Sequence, residues 1–140
     1  MATRFQDQTK RPKPNVIIDA GQYERLAGLA RDAAKSVPSV AEQLLEEIER
    51  ADVLPSEQMP NDVVTIGSDV TFTDNATGRT RTVQIAYPAQ ADIEQHRVSV
   101  LTPIGAALIG LSVGQSIDWE MNDGSIRRLT VVAVSRESAG

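Results

Sequence analysis

Residues 55–73 read PSEQMPNDVVTIGSDVTFT, and across them the spacing of apolar residues changes from a period near 3.6 to a period of 2. The first eight, Pro55 to Asp62, are polar and bounded by prolines, which marks a linker. Beyond them Val63-Val64-Thr65-Ile66 reads as a β-branched strand and Gly67-Ser68 as a turn or bulge. Asp69-Val70-Thr71-Phe72-Thr73 then alternates as a half-buried strand does. The chain is therefore helix-forming before this joint and sheet-forming after it, an α+β arrangement.

Upstream, Val16-Ile17-Ile18 forms a short apolar lead-in, and Asp19 with Gln22 three residues later has the form of a helix cap. Tyr23, Leu26, Ala27, Ala30, Ala33, Ala34 and Val37 follow at one-sided 3–4 spacing. This predicts an amphipathic helix from about Asp19 to Val37, ~27 Å long at 1.5 Å per residue, stopped by Pro38. Ser39-Val40-Ala41-Glu42 reads as a second capping box. It opens a helix with Val40, Ala41, Leu44, Leu45, Ile48 and Ala51 on one side. Two amphipathic helices joined by a tight turn fold back as an antiparallel hairpin, a short coiled coil. The acidic run Glu46, Glu47, Glu49 reads as its solvated face.

Downstream, Asp74-Asn75-Ala76-Thr77-Gly78 carries turn chemistry, and Arg79 to Tyr87 returns as the hairpin partner, closed by Pro88. Ala89 to Arg97 is a polar loop, and Val98 to Leu101 is a further strand. Pro103 opens a short helix that runs through Leu111 and is ended by Gly110 and Gly114. Ser116–Met121 and Ile126–Val134 form a last hairpin around Asn122-Asp123-Gly124. The predicted division is a disordered tail over 1–14, the helical hairpin over 15–54, the linker over 55–62, and an antiparallel sheet domain with one short helix over 63–140.

Composition narrows the chemistry. The 140 residues are 41% hydrophobic and 24% charged, with only 4% aromatic, so the core is aliphatic. The absence of cysteine excludes disulfides and thiolate chemistry and fits a cytoplasmic protein, and a single histidine excludes any site needing two imidazoles. No apolar run reaches the length of a membrane span, and the N-terminal residues lack a signal peptide's apolar segment. Charge is uneven: +3 over residues 1–14, −6 over 15–62 and −2 over 63–140. An acidic body repels phosphate backbones, which argues against sequence-specific nucleic-acid binding and for a partner with a basic rim.

Catalytic signatures are few. Gly105 to Gly110 lacks the Lys-Ser/Thr of a phosphate loop. His96 sits in a polar loop with no nucleophile signature and reads as a surface histidine. Arg127 and Arg128 alternate on a strand, so they face opposite sides and make no patch. Asp32 and Glu42 bracket the hairpin turn and are the one pair that could offer oxygen ligands to Mg²⁺. The bland reading, a capping Glu42 and a solvated Asp32, assigns no metal, no cofactor and no catalytic residue. The residues alone describe a non-catalytic interaction module.

The stretch VSVLTPIGAALIGLSVGQ, Val98 to Gln115, resembles the C-terminal domain of the bacterial Gre transcript-cleavage factors: a strand, Ser/Ala-Pro, a Gly, Ala-Leu, then Gly before an acidic residue. The Rnk group of that family, the regulators of nucleoside diphosphate kinase, is matched more closely. Its pattern is met by Met59–Thr65, by Val83–Ala89 with Tyr87-Pro88-Ala89, by Gly105–Leu111 and by Ser116–Glu120, and the resemblance spans roughly residues 15–135. It implies an FKBP-like C-terminal domain with its sheet wrapped over the short helix. It also implies docking on RNA polymerase, at the coiled coil on the rim of the secondary channel, with the helical hairpin pointing into the channel.

By the family's pattern the docking loop falls at Leu101, Thr102, Pro103 and Ile104. Thr102 stands where the family has Ser or Ala, and Gln115 replaces its usual acidic residue. The resemblance also sets a question of reach. Cleavage factors carry acidic residues at the tip of a coiled coil several turns longer, beside the polymerase's Mg²⁺, and a carboxylate even one or two turns short (~5–11 Å) cannot bind that ion. The expectation is a regulator of transcription elongation that occupies the secondary channel and competes with Gre factors without stimulating cleavage, and that is not an enzyme. The alternatives are a Gre-like cleavage stimulator using Asp32 and Glu42, or an FKBP-like peptide-binding module drawing on Phe72, Tyr87 and Trp119. Any link to nucleoside diphosphate kinase would be indirect.

Overall fold

The computed structural model describes residues 14–120 and 124–136. The expected tail over 1–14 therefore lies, Pro14 apart, outside the described residues, as do Met121, Asn122 and Asp123 of the expected last turn.

Helix α1 spans Ala20–Ala33, with Asp19 as its cap: the Asp19 carboxylate accepts from the Gly21 N–H at 2.8 Å. Leu26, Ala27, Ala30 and Ala33 form its buried stripe. At 14 residues it is about 21 Å long, shorter than the sequence suggests, because Ala34 to Val37 form the turn. Helix α2 spans Pro38–Glu49, with Ala41, Leu44 and Ile48 buried. Pro38 opens this helix instead of closing the first, since a missing N–H costs nothing in a first turn. The expected Ser39–Glu42 capping box consequently does not form. Ser39 lies inside the helix, and the cap position, Val37, makes no side-chain bond.

The acidic run on α2 is not uniformly solvated. Glu46 and Glu49 are exposed, but Glu47 is 0% exposed and is held by Arg50 at 2.6 Å. Arg50 also donates to the Pro14 carbonyl, so the pair fastens the start of the described chain to the end of α2. Two three-residue strands that the sequence does not announce close the base of the hairpin. They are β1, Ile17–Asp19, and β2, Asp52–Leu54, paired in parallel with Ile18 opposite Val53.

The main sheet has five strands in the order β5-β4-β3-β7-β6. Strands β3, Ser68–Asp74, and β4, Arg79–Ala86, form the expected hairpin, turned at Gly78 in a left-handed conformation. The long β7, Ile126–Arg136, pairs antiparallel with β3 and with β6, Ser116–Glu120. Short β5, Arg97–Ser99, runs parallel to β4 at the edge, so the sheet is mixed and not wholly antiparallel as expected: the connection from β4 crosses over through a polar loop instead of turning back as a hairpin. Helix α3, Pro103–Leu108, is shorter than expected and packs on β6 and α2.

Val63 to Ile66 is not a strand. Val63 makes an isolated bridge to Ser112. Val64 donates to the Leu111 carbonyl and accepts from the Gly110 N–H, so the segment lies buried along the end of α3. Its β-branched residues are used for burial, and no neighbouring strand supplies a ladder. Val16, Ile18, Leu26, Leu44 and Ile48 share one hydrophobic core with Phe72, Ile85, Leu108, Ile117 and Leu129.

Candidate partner-binding face

The turn from β5 into α3 is fixed by its own side chains. Thr102 caps α3 by accepting from the Gly105 N–H at 3.1 Å, while its hydroxyl donates to the Ser99 carbonyl at 2.7 Å. The Ser99 hydroxyl accepts from the Leu101 N–H at 3.0 Å. Gly105 allows the close approach: a Cβ there would stand 2.2 Å from the Ser99 carbonyl oxygen. Pro103 adds a fixed φ at the first helical position. Leu101, Thr102, Pro103 and Ile104 are all half-buried, with Leu101 and Ile104 resting against the core. The four residues form a rigid, largely apolar knuckle.

At the far end of the hairpin, Asp32 and Glu42 are both exposed, one on the last turn of α1 and the other in α2. No group of three or more His, Cys, Asp or Glu side chains comes together among the described residues. His96 is exposed and occupies a left-handed conformation, φ 59°, at the end of a tight turn. Phe72 and Trp119 lie in the core. Arg127 and Arg128 go to different partners, Asp74 and Asp118.

Two contacts that sequence reasoning missed hold α1 against the segments that flank β3 and β4. The Gln22 amide accepts from the Ile66 N–H and donates to the Ile66 carbonyl. Arg25 lies over the Tyr87 ring, 3.8 Å from its centroid. Burial pushes the Tyr87 hydroxyl pKa up; the Arg25 cation pulls it down and Asp19 adds a smaller upward push. Spacing within one helix could mark Gln22 and Arg25 as lying near one face, but nothing local names their partners more than 40 residues away.

With the hairpin, the sheet and the knuckle in place, the class of protein is defined. The family described as "Transcription elongation factor, GreA/GreB, C-term" matches residues 59–136, and "Rnk N-terminus" matches residues 14–54. The chain belongs to the GreA/GreB family, in its Rnk branch. The regulator of nucleoside diphosphate kinase of Escherichia coli is 37% identical over 130 residues, covering 91% of this chain and 96% of that protein. Transcription elongation factor GreA of Azorhizobium caulinodans is 33% identical over 121 residues, 82% of this chain and 77% of its own. Among solved structures, a GreA/GreB elongation factor from Nitrosomonas europaea superposes with a TM-score of 0.69. It is 32% identical, and the match covers 88% of this chain and 99% of that one. Among the described residues no helix is long and apolar enough to cross a membrane.

Proposed function

We propose that this protein is a cytoplasmic, non-catalytic regulator of transcription elongation that docks at the secondary-channel rim of bacterial RNA polymerase and excludes cleavage factors from it. The observation that carries the reading is the length of the prong: 14 residues in α1 and 12 in α2, about 21 Å and 18 Å. A carboxylate acts on a metal ion at direct or one-water contact, so a prong short by even one turn loses that chemistry while keeping its bulk. Asp32 and Glu42 at its tip are solvated and belong to no larger acidic group among the described residues.

Docking falls to Leu101, Thr102, Pro103 and Ile104. Their turn is already locked by the Ser99 and Thr102 bonds, so a partner would not have to order it. The division of labour runs with the chain: a coiled-coil hairpin over 15–54, a linker over 55–62, and an FKBP-like body over 63–140 in which α3 packs against the edge strands β6 and β5. The Gln22 and Arg25 contacts set the angle between prong and body, which a channel plug requires.

The test adds the protein to stalled elongation complexes together with a cleavage factor. The expected result is dose-dependent loss of transcript shortening, with none produced by the protein alone. Shortened transcript from the protein alone would establish the cleavage-stimulating alternative, and undiminished cleavage at saturating protein would overturn the competition.

A further inference from the structure

Four arginines of the described residues make side-chain hydrogen bonds within the chain, and three of them face a carboxylate: Arg50 faces Glu47, Arg127 faces Asp74 and Arg128 faces Asp118. Arg97 differs. Its Nε donates to the Gln84 side-chain oxygen at 3.2 Å, and the Gln84 amide nitrogen is in turn tied to the Gly67 carbonyl at 3.2 Å. Gln84 is thereby spent as a neutral brace. Among the described residues, the two terminal nitrogens of Arg97 have neither a hydrogen-bond acceptor nor an acidic partner.

Arg97 is half-buried and helps line an open cleft of about 300 Å³ between the start of β5, the end of β4 and the turn at Gly67. Ile66 and the little of Ala86 that is exposed supply apolar wall, backed by the buried Ile85, and Gln90 adds a further polar group. That volume lies at the lower end of small-ligand pockets. The main chain of Arg97 is pinned on both sides of its peptide, donating to and accepting from Asp92. The guanidinium is thus oriented from its backbone and from its Nε, and what remains on offer is the planar fork of terminal N–H groups. That fork matches a carboxylate bidentately.

We infer that this cleft binds a carboxylate carried on a short apolar stem, with the Arg97 fork on the carboxylate and the stem against Ile66 and the edge of Ala86. The bond is charge-assisted in a partly desolvated site, and the Gln84 brace removes the rotamer cost that an unheld arginine meets on binding. The site is independent of the polymerase reading and of the Leu101–Ile104 knuckle. Two sources share the chemistry: a free small organic acid, and a glutamate side chain on another protein.

The experiment is a titration of the full chain, isotope-labelled, followed by the amide signals of Gln84 and Gln90 and the Arg97 Nε–H signal. The probes are propionate, a glutamate peptide with blocked ends, and inorganic phosphate, against chloride at equal ionic strength. Saturable shifts at these three residues with propionate or with the peptide are expected, with loss of saturation in Arg97→Gln and at least tenfold weaker binding in Arg97→Lys, which keeps the charge but not the fork. Saturation by the peptide alone assigns the ligand to a protein side chain; saturation by propionate assigns it to a free acid. Shifts that track chloride, that persist in Arg97→Gln, or that saturate with phosphate alone overturn the inference. Because Arg97→Gln could disturb β5, its spectrum away from the cleft must match wild type, and Arg97→Lys supplies the second reading if it does not.

Discussion

Gln22 of α1 and Ile66, in the turn that leads into β3, are joined by a two-point clasp: the Ile66 N–H donates to the Gln22 oxygen at 3.1 Å and the Gln22 nitrogen donates to the Ile66 carbonyl at 3.3 Å. A side-chain amide here stands in for a strand, satisfying a main chain that no ladder reaches.

Gln22→Ala should therefore lower stability by about 1–3 kcal/mol, two net hydrogen bonds with partly buried backbone groups left to find water. Urea unfolding measures it, and amide exchange at Ile66 should speed up in the same variant. An unchanged midpoint with unchanged Ile66 protection would mean that water replaces the clasp at no cost.

Arg25 and Tyr87 make the second contact between the same units, and it predicts a pH dependence. Burial raises the Tyr87 pKa above its ordinary value near 10 while Arg25 restrains the rise. With the folded-state value above the unfolded one, the contribution of Tyr87 to stability is complete below the unfolded pKa. It is lost as pH climbs through the folded one. Arg25→Ala removes the restraining cation, so the tyrosinate absorbance titration of Tyr87 should move to higher pH, with about 0.5–1 kcal/mol lost from the cation–π contact. A titration that moved down would contradict the geometry.

Two glycines should respond in opposite directions. Gly105→Ala would drive a methyl against the Ser99 carbonyl oxygen and to 2.8 Å from the Val100 Cα, both backbone, so the cost is about 3 kcal/mol or more. At Gly28 of α1 a methyl group would meet nothing within 4 Å, and Gly28→Ala should stabilise by about 0.5–1 kcal/mol through the unfolded chain's lost freedom. Thermal unfolding of the pair checks both signs at once.

The same residues show why some of this was legible in the sequence and some was not. The alanine and leucine stripes of α1 and α2 and the Asp74–Gly78 turn are local patterns, and each element exists where its period falls, although α1 stops four residues early. Pro38 is ambiguous by nature, since a proline that ends one helix is equally suited to begin the next, and only the position of the turn decides. Strands β1 and β2 have three residues apiece and pair across 35 positions, below what periodicity can detect. Glu47 looks like its neighbours Glu46 and Glu49 in sequence; only the packing of α2 turns it inward towards Arg50. Of the candidate face, Pro103 at the start of α3 could be read directly, whereas in the separate Arg97 cleft the Gln84 brace depends on a parallel strand pairing that no local pattern encodes.

The tip carboxylates offer the sharpest separation between a plug and a cleavage stimulator. Asp32 and Glu42 are exposed, so Asp32→Asn with Glu42→Gln should leave thermal stability within about 0.5 kcal/mol of wild type. If the prong works by bulk alone, the double variant should inhibit an added cleavage factor at the same concentration as wild type, because neither the prong's shape nor the Leu101–Ile104 knuckle has changed. If the carboxylates reach the polymerase's metal, their loss should instead abolish any transcript shortening seen with the wild-type protein. A companion variant, Leu101→Gln, moves the opposite way: it leaves the tip intact but places an amide on the apolar knuckle, and should weaken competition while the tip variant does not. Loss of competition in the tip variant with none in Leu101→Gln would assign binding to charge at the tip and not to the knuckle.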